Sequence, residues 1–388
     1  MTLAESYAKT IRSIFTDGGA LLFCIVVPLI YPILYTVIYN GETVHDVPVV
    51  VVDDSRSALS RDYVRRLDAT ADVKVVGICA EMNEAQQHVQ HRDCYGIVRI
   101  PSDFQKTLST GGQAHVQAYS DMSGLLYYKA ILIANTEVSL DMNAEIKISR
   151  TGANPLAAAS GIAGGTPEQQ MAVQHPVQYE SVNIYNPQGG FATFLIPAVL
   201  ILALQQTMIL GIGLLAGTRR EKKLWAPREG NTLMQLLGVA LAFLTVYVPM
   251  CFYELGVVPH FFGLPQLGNP WEIGFMMVPF LLAVFLFGMC VGNLAKRREN
   301  IILIMVFTTL PILFMSGVSW PGSALPPFWR CLGYLFPSTF GINAFIKLNN
   351  MGAHFDSIQF EYIGLWVQCA VYALMAWAVI KLVHKPKA

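Results

Sequence analysis

Hydrophobic and polar positions are unevenly distributed along this chain. Six stretches carry no charged residue: Gly18–Asn40, Ser181–Thr218, Asn231–Tyr253, Ile273–Ala295, Ile301–Trp329 and Tyr362–Ile380. A helix needs about 20 mainly apolar residues to cross a ~30 Å hydrocarbon core. Each run is long enough, so the pattern predicts six membrane spans. One such run would suit a buried core helix equally well; six in one chain do not. Ahead of them, Leu3, Tyr7, Ile11, Ile14 and Phe15 recur at helical spacing, with Lys9 and Arg12 among the polar positions. Residues 1–17 therefore read as an interfacial amphipathic helix on the cytoplasmic side. The run that follows, residues 18–40, contains Pro28 and Pro32 and is not followed by a small-residue cleavage site. It reads as an uncleaved first span rather than a signal peptide.

Between the first two runs the period changes. Val47–Asp53, Val73–Ile78, Tyr95–Ile100 and Ala114–Ser120 are β-rich, and polar helical stretches at Ser57–Asp68 and Glu81–His91 alternate with them. Ser123–Arg150 reads as one long helix. Strands alternating with helices predict a small open sheet covered by helices over residues 41–188. Within that segment, residues 151–180 are rich in Ala, Gly, Pro and Gln and read as a flexible connector. The short β-like run Tyr179–Tyr185 is placed to rejoin the sheet before Asn186–Pro187 turns the chain into the second span. Five further spans then occupy residues 189–388. The fold class expected is a polytopic α-helical membrane protein with six transmembrane helices and an inserted extracytoplasmic α/β domain.

Composition agrees. The 388 residues are 54% hydrophobic and 13% charged, against about 25% charged in soluble proteins, and the mean hydropathy is +0.45. Lys and Arg total 26, matched by 26 Asp and Glu, so no basic surface for nucleic acid is expected. The inserted segment holds 17 acidic and 11 basic residues. With the N-terminus in the cytoplasm, Lys9, Arg12, Arg219, Arg220, Lys222, Lys223, Arg228, Lys296, Arg297, Arg298, Lys381, Lys385 and Lys387 fall inside. Only Arg330 and Lys347 fall outside in the later loops. The positive-inside bias thus puts both termini in the cytoplasm and residues 41–188 outside.

Candidate chemistry is sparse. There is no G-x-x-x-x-G-K-S/T loop, so ATP is not expected on this chain. H-E-x-x-H and paired C-x-x-C are also absent, and no metal site is expected. Cys24, Cys251, Cys290 and Cys369 lie in spans, as packing residues. Cys79 and Cys94 lie in the exported segment, where an oxidising compartment permits a disulfide. His88, His91 and Cys94 are spaced by three, which fits either a metal cluster or, more simply, a solvated histidine pair. Gln205 and Gln206 sit mid-span, as lining of a transport path or as interhelical hydrogen-bonding groups. Glu254 reads as interfacial. Gly213-x-x-x-Gly217 and Gly288-x-x-x-Gly292 would allow close helix packing.

Several stretches together resemble the membrane subunits of ABC transporters in the type-2 exporter group. Leu313–Gly352, LFMSGVSWPGSALPPFWRCLGYLFPSTFGINAFIKLNNMG, is similar to the family's fifth-span ending and the broken segment after it. VNIYNPQGGFATFLIP, Val182–Pro197, resembles the family's entry into span two. TRREKKLWAPREGNTLMQLL, Thr218–Leu237, looks like the cytoplasmic segment presented to the ATPase, usually R-E-x-x-x-G-T-x-x-Q-L. Arg228, Glu229, Asn231, Thr232, Gln235 and Leu236 fill that pattern, with Gly230 before Asn231 rather than directly before Thr232. In the insert, VPVVVVDDSRSALSRDYVRRLDAT, YGIVRIPSDFQKTL and VQAYSDMSG resemble the subgroup with a large domain after span one.

The resemblance implies a permease that is not itself an enzyme, in a bacterial inner membrane. Two copies would form the pathway, as a homodimer or with a paralogous partner, among membrane lipids. Separate ABC ATPase subunits would carry ATP and Mg, and an adaptor could dock outside. Arg219, Arg220, Glu221, Lys222, Lys223, Trp225, Arg228, Glu229, Thr232 and Gln235, within the segment 219–235, are the ATPase-coupling candidates. An amphipathic or lipid-like substrate would be exported. Independently, Pro321, Pro326, Pro327 and Pro337 prevent one clean helix over residues 316–349, which predicts a broken outer hairpin. The rival reading is a membrane sensor or assembly scaffold with an exported ligand-binding domain. It leaves the 219–235 segment and the hairpin without a role.

Overall fold

The computed structural model describes residues 2–39, 43–110, 112–121, 125–152, 185–186, 190–221, 232–294, 297–320 and 322–383. The chain divides into two compact units, Met1–Glu42 with Asn183–Ala388, and Thr43–Val182.

The first unit is helical. It comprises α1 (Leu3–Thr16) and α2 (Gly18–Tyr39), and resumes with α7 (Phe191–Glu221). Next come α8 (Thr232–Phe252), prolonged by a π-turn at Tyr253–Val257 and by Val258–Phe261, then α9 (Pro270–Leu294) and α10 (Arg298–Met315). Short α11 (Pro327–Gly333) and α12 (Pro337–Phe345) precede α13 (Gln359–Val383). Among the described residues, five helices are long and apolar enough to cross a membrane: α2, α7, α8, α9 and α10. The sixth predicted run lies in α13, a 25-residue helix outside those five. The run Ile301–Trp329 does not stay helical to its end, because α10 stops at Met315 and turns follow.

Helix α7 is apolar all round, the signature of a fully enclosed helix, and its spanning window is wholly buried. It packs against α2, α9, α10 and α12. Helices α2 and α10 bury only 22% of theirs, leaving Ile30, Leu34 and Ile38, and Val306, Phe307 and Leu310, exposed. Small residues set the approach of the backbones. A Cβ at Gly217 would stand 2.9 Å from Arg298 Cα, and one at Gly292 3.1 Å from Gly213 Cα. Both glycine pairs noted in the sequence are therefore used for close packing on α7.

The second unit is a four-stranded sheet of order β2-β1-β3-β4. Strand β1 (Val47–Asp53) runs parallel to β2 (Val73–Cys79) and to β3 (Gly96–Ile100), and β4 (Gln117–Ser120) is antiparallel to β3. Alternation sends Val47, Val49 and Val51 to one face and Val50 and Val52 to the other, so the central strand is buried on both sides. The first face is covered by α3 (Ala58–Asp68), α5 (Phe104–Ser109) and α6 (Leu125–Gly152). From α6, Ala130, Ala134, Val138 and Met142 form one stripe at a spacing of four. The second face is covered by α4 (Met82–Gln90) through Met82, Ala85 and Val89.

Cys79 and Cys94 are both buried in this second cluster as free thiols. They pack as small apolar groups rather than as the disulfide that an oxidising compartment would permit. His88, His91 and Cys94 do not converge, because α4 ends at Gln90 and Cys94 turns into the core beside Val50 and Ile97. Residues 153–180 of the predicted connector, and Tyr179–Tyr185 apart from Tyr185, lie outside the described residues.

Candidate coupling node and membrane core

The segment 219–235 is entered from α7 and left through α8. Its first three residues are described. Arg219 Nη2 donates to Thr10 Oγ1 at 3.3 Å. Arg220 Nη2 donates to the Asn293 carbonyl at 2.8 Å and to Asn293 Oδ1 at 3.1 Å. Glu221 Oε1 accepts the Arg298 N–H at 3.3 Å. Both arginines are thus engaged within the helical unit. Lys222, Lys223, Trp225, Arg228 and Glu229 lie outside the described residues. Thr232 opens α8, and the Gln235 carbonyl accepts the Ser6 hydroxyl at 2.8 Å.

Helix α1 therefore touches both ends of the segment. Its start is a capping box in which Thr2 Oγ1 accepts the Glu5 N–H and Glu5 accepts the Thr2 N–H. The face it buries is Ser6, Thr10 and Ile14, while Phe15 is exposed. These small polar residues face α8, which comes very close: a Cβ at Gly238 would stand 2.6 Å from Ser6 Cβ and 2.7 Å from the Leu3 carbonyl.

Asp17, between α1 and α2, joins the remaining elements. One carboxylate oxygen accepts the Gly19 and Ala20 N–H groups at 3.1 Å, capping α2. The carboxylate also accepts from Thr218 Oγ1 and Arg298 Nη2, each at 2.8 Å. Burial pushes the Asp17 carboxyl up. The Ala20 N–H, the Thr218 hydroxyl, the Arg298 guanidinium and the Gly19 N–H outweigh it and hold the group below its ordinary range. One acid thus ties α2 to the end of α7 and the start of α10.

In mid-bundle the polar groups are less completely matched. Gln205 is fully buried, and its Oε1 accepts the Ser338 N–H at 2.7 Å. This caps α12 from another helix, at a start whose own N-cap residue, Phe336, offers no side-chain acceptor. Gln206 is 8% exposed, and its amide has no partner among the described residues. The buried Tyr247 hydroxyl, close to Thr207 and Cys24, also lacks a hydrogen-bond partner there. Glu254 is fully buried, and neither carboxylate oxygen has a partner among the described residues. It lies in the π-turn Tyr253–Val257, where the wider turn shifts which side of the helix faces the bundle. Beside this turn is an open apolar cavity of about 540 Å³ lined by Val248, Cys251, Phe252, Leu255, Met277 and Leu281.

The proline-rich segment after α10 is a sequence of short pieces whose backbone groups find partners within the unit. Asn343 Nδ2 donates to the Ser316 and Thr339 carbonyls at 3.0 and 2.7 Å. Arg330 Nη2 donates to the Gly322 and Ser323 carbonyls at 2.6 and 3.2 Å. Lys347 Nζ pairs with Glu361 at 2.6 Å. The two basic residues that broke the loop-charge pattern thus hold this segment together. In the sheet unit, a separate opening of about 430 Å³ is lined by Tyr63, Phe104, His115, Leu132 and Asn135.

Sequence comparison adds the family. A family model described as ABC-2 family transporter protein matches residues 19–378. The chain is also similar to the inner membrane transport permease YadH of Escherichia coli K12, 27% identical over 110 residues. That stretch is 28% of this chain and 43% of the relative, so under half of the relative's length is spanned. The protein of the same name from Shigella flexneri matches over the same extent. No solved structure matches. With a match running through nearly every helix described above, the chain belongs to the ABC-2 transporter family.

Proposed function

We propose that this permease is half of an ATP-driven exporter in an inner membrane. Two six-span copies, with α13 as the sixth span, enclose a path for an amphipathic or lipid-like substrate. Separate ATPase subunits dock inside on the 219–235 segment, and residues 41–188 lie outside. The observation that carries this reading is the double attachment of that segment to α1, through Thr10 at one end and Ser6 at the other. Because Asp17 follows α1 directly and binds Thr218 and Arg298, a push on the segment would move α1, α7, α8 and α10 as one body. Trp225, an aromatic residue among five basic ones, suits an interface hot spot on the partner.

The test is Trp225→Ala combined with Glu229→Ala, which leaves every basic residue of the segment in place. The chain should still reach the membrane at wild-type levels, while its ATPase is lost on purification or no longer stimulated by substrate. Normal recovery and stimulation would refute the coupling role. Orientation is tested separately. A cysteine at Gly165 should react with an impermeant reagent from outside, and cysteines at Lys222 or Arg298 should not.

A further inference from the structure

Three side chains that the transport reading does not use converge in the sheet unit. Cys79 ends β2, and Glu84 and His88 follow four residues apart on α4, hence on one helix face. A Cys79 sulfur, a Glu84 carboxylate oxygen and a His88 ring nitrogen all lie within 4.8 Å of one another. We propose that Cys79, Glu84 and His88 form a zinc site that staples the end of β2 to the first turns of α4. The proposal does not rest on the transport reading.

The donor set is the first argument. A thiolate, an imidazole and a carboxylate suit Zn²⁺, which is borderline-soft and takes all three. Calcium and magnesium prefer oxygen ligands alone. Geometry is the second. A tetrahedral shell with Zn–S of about 2.3 Å and Zn–N of about 2.0 Å puts neighbouring ligand atoms roughly 3.3–3.8 Å apart. From separations of at most 4.8 Å, the trio needs to close by no more than about 1.5 Å. The exposed Glu84 and half-buried His88 side chains supply that movement, while buried Cys79 is the fixed point.

The surroundings are the third argument. His88 Nδ1 lies 3.3 Å from Asp93 Oδ2. A proton on Nδ1 shared with that carboxylate leaves the lone pair on Nε2 for a metal, the carboxylate–histidine arrangement that recurs behind zinc ligands. Glu84 Oε2 accepts the Ala80 N–H at 3.0 Å, which holds the carboxylate back over the strand end beside Cys79. The exposed side of the cluster leaves a fourth position to water.

Full-length protein in detergent, stripped with chelator and dialysed against zinc chloride, should retain one zinc per chain. Cobalt in its place should give a thiolate-to-metal charge-transfer band. Cys79→Ser should abolish the band and the bound zinc, and Glu84→Gln, at an exposed position with little folding risk, should weaken binding at least as much as loss of the outer carboxylate. Asp93→Asn should weaken it by about 10- to 100-fold. His91→Ala, one helix turn away from His88 and outside the cluster, should change nothing. Three outcomes overturn the proposal: equal zinc in wild type and Glu84→Gln, cobalt binding without the sulfur band, or a Cys79–Cys94 linked peptide in the purified protein.

Discussion

Helix α7 has two polar regions, and they are finished differently. At its end, Thr218, Arg219, Arg220 and Glu221 each bond to another element. In its middle, Gln205 uses one atom and Gln206 none among the described residues. The end behaves as a joint, in which several bonds resist relative movement of α1, α2, α7 and α10. The middle keeps spare hydrogen-bonding capacity inside an apolar bundle, where such groups are costly and commonly mark a pathway or a moving contact.

Breaking the joint should give the largest effect. Arg298→Ala leaves the mostly buried Asp17 carboxylate without its cation. Breaking a fully buried pair costs about 3–5 kcal/mol. Arg298 is about a third exposed, so a loss of about 2–3 kcal/mol is expected, read as a lower melting temperature in detergent. Partial recovery in Asp17→Arg with Arg298→Asp would confirm that the pair, and not Arg298 packing, is responsible.

Gln205→Leu tests the middle. It orphans the Ser338 N–H at the start of α12, for an expected loss of about 1–2 kcal/mol. A change near zero would mean that α12 finds another cap. Acidification separates the two regions again. The Asp17 carboxyl is held below its ordinary range, so its contribution is full at neutral pH and is lost as pH falls below about 4. Melting curves should show this acid loss in wild type, and it should shrink in Arg298→Ala and persist in Gln205→Leu.

The smallest effect on stability is expected next door. Gln206→Leu removes unpaired polar atoms at similar volume and should be neutral or slightly stabilising. If Gln206 faces the substrate path, transport should fall while stability holds. Equal destabilisation in the two glutamine variants would erase the contrast between Gln205 and Gln206.

Much of the architecture was legible locally. The uncharged runs locate α2, α7, α8 and α9, because a membrane-length helix cannot hide charges from hydrocarbon. Valine-rich Val47–Asp53 announced a strand, and its place at the sheet centre, covered on both faces, fits its continuous apolar sequence. Prolines announced the interruption after Met315. The face that α1 turns to α8 was not legible: periodicity reports which residues are apolar, whereas Ser6 and Thr10 are buried by how closely α8 approaches. The burial of Glu254 was not legible for a related reason, since a π-turn changes a face without leaving a mark in composition.

The membrane class, the inserted sheet and the family are written in the chain's local pattern, because each depends on the solvent a segment meets and on short-range order. Only the tertiary structure decided which polar groups meet. Asp17 and Arg298 are 281 residues apart, and Gln205 and Ser338 are 133 apart. Hydrogen bonds reach about 3 Å, so such pairs exist only after helices have packed. Close approach in turn depends on glycines such as Gly217 and Gly292, whose role is invisible until the facing backbone is in place.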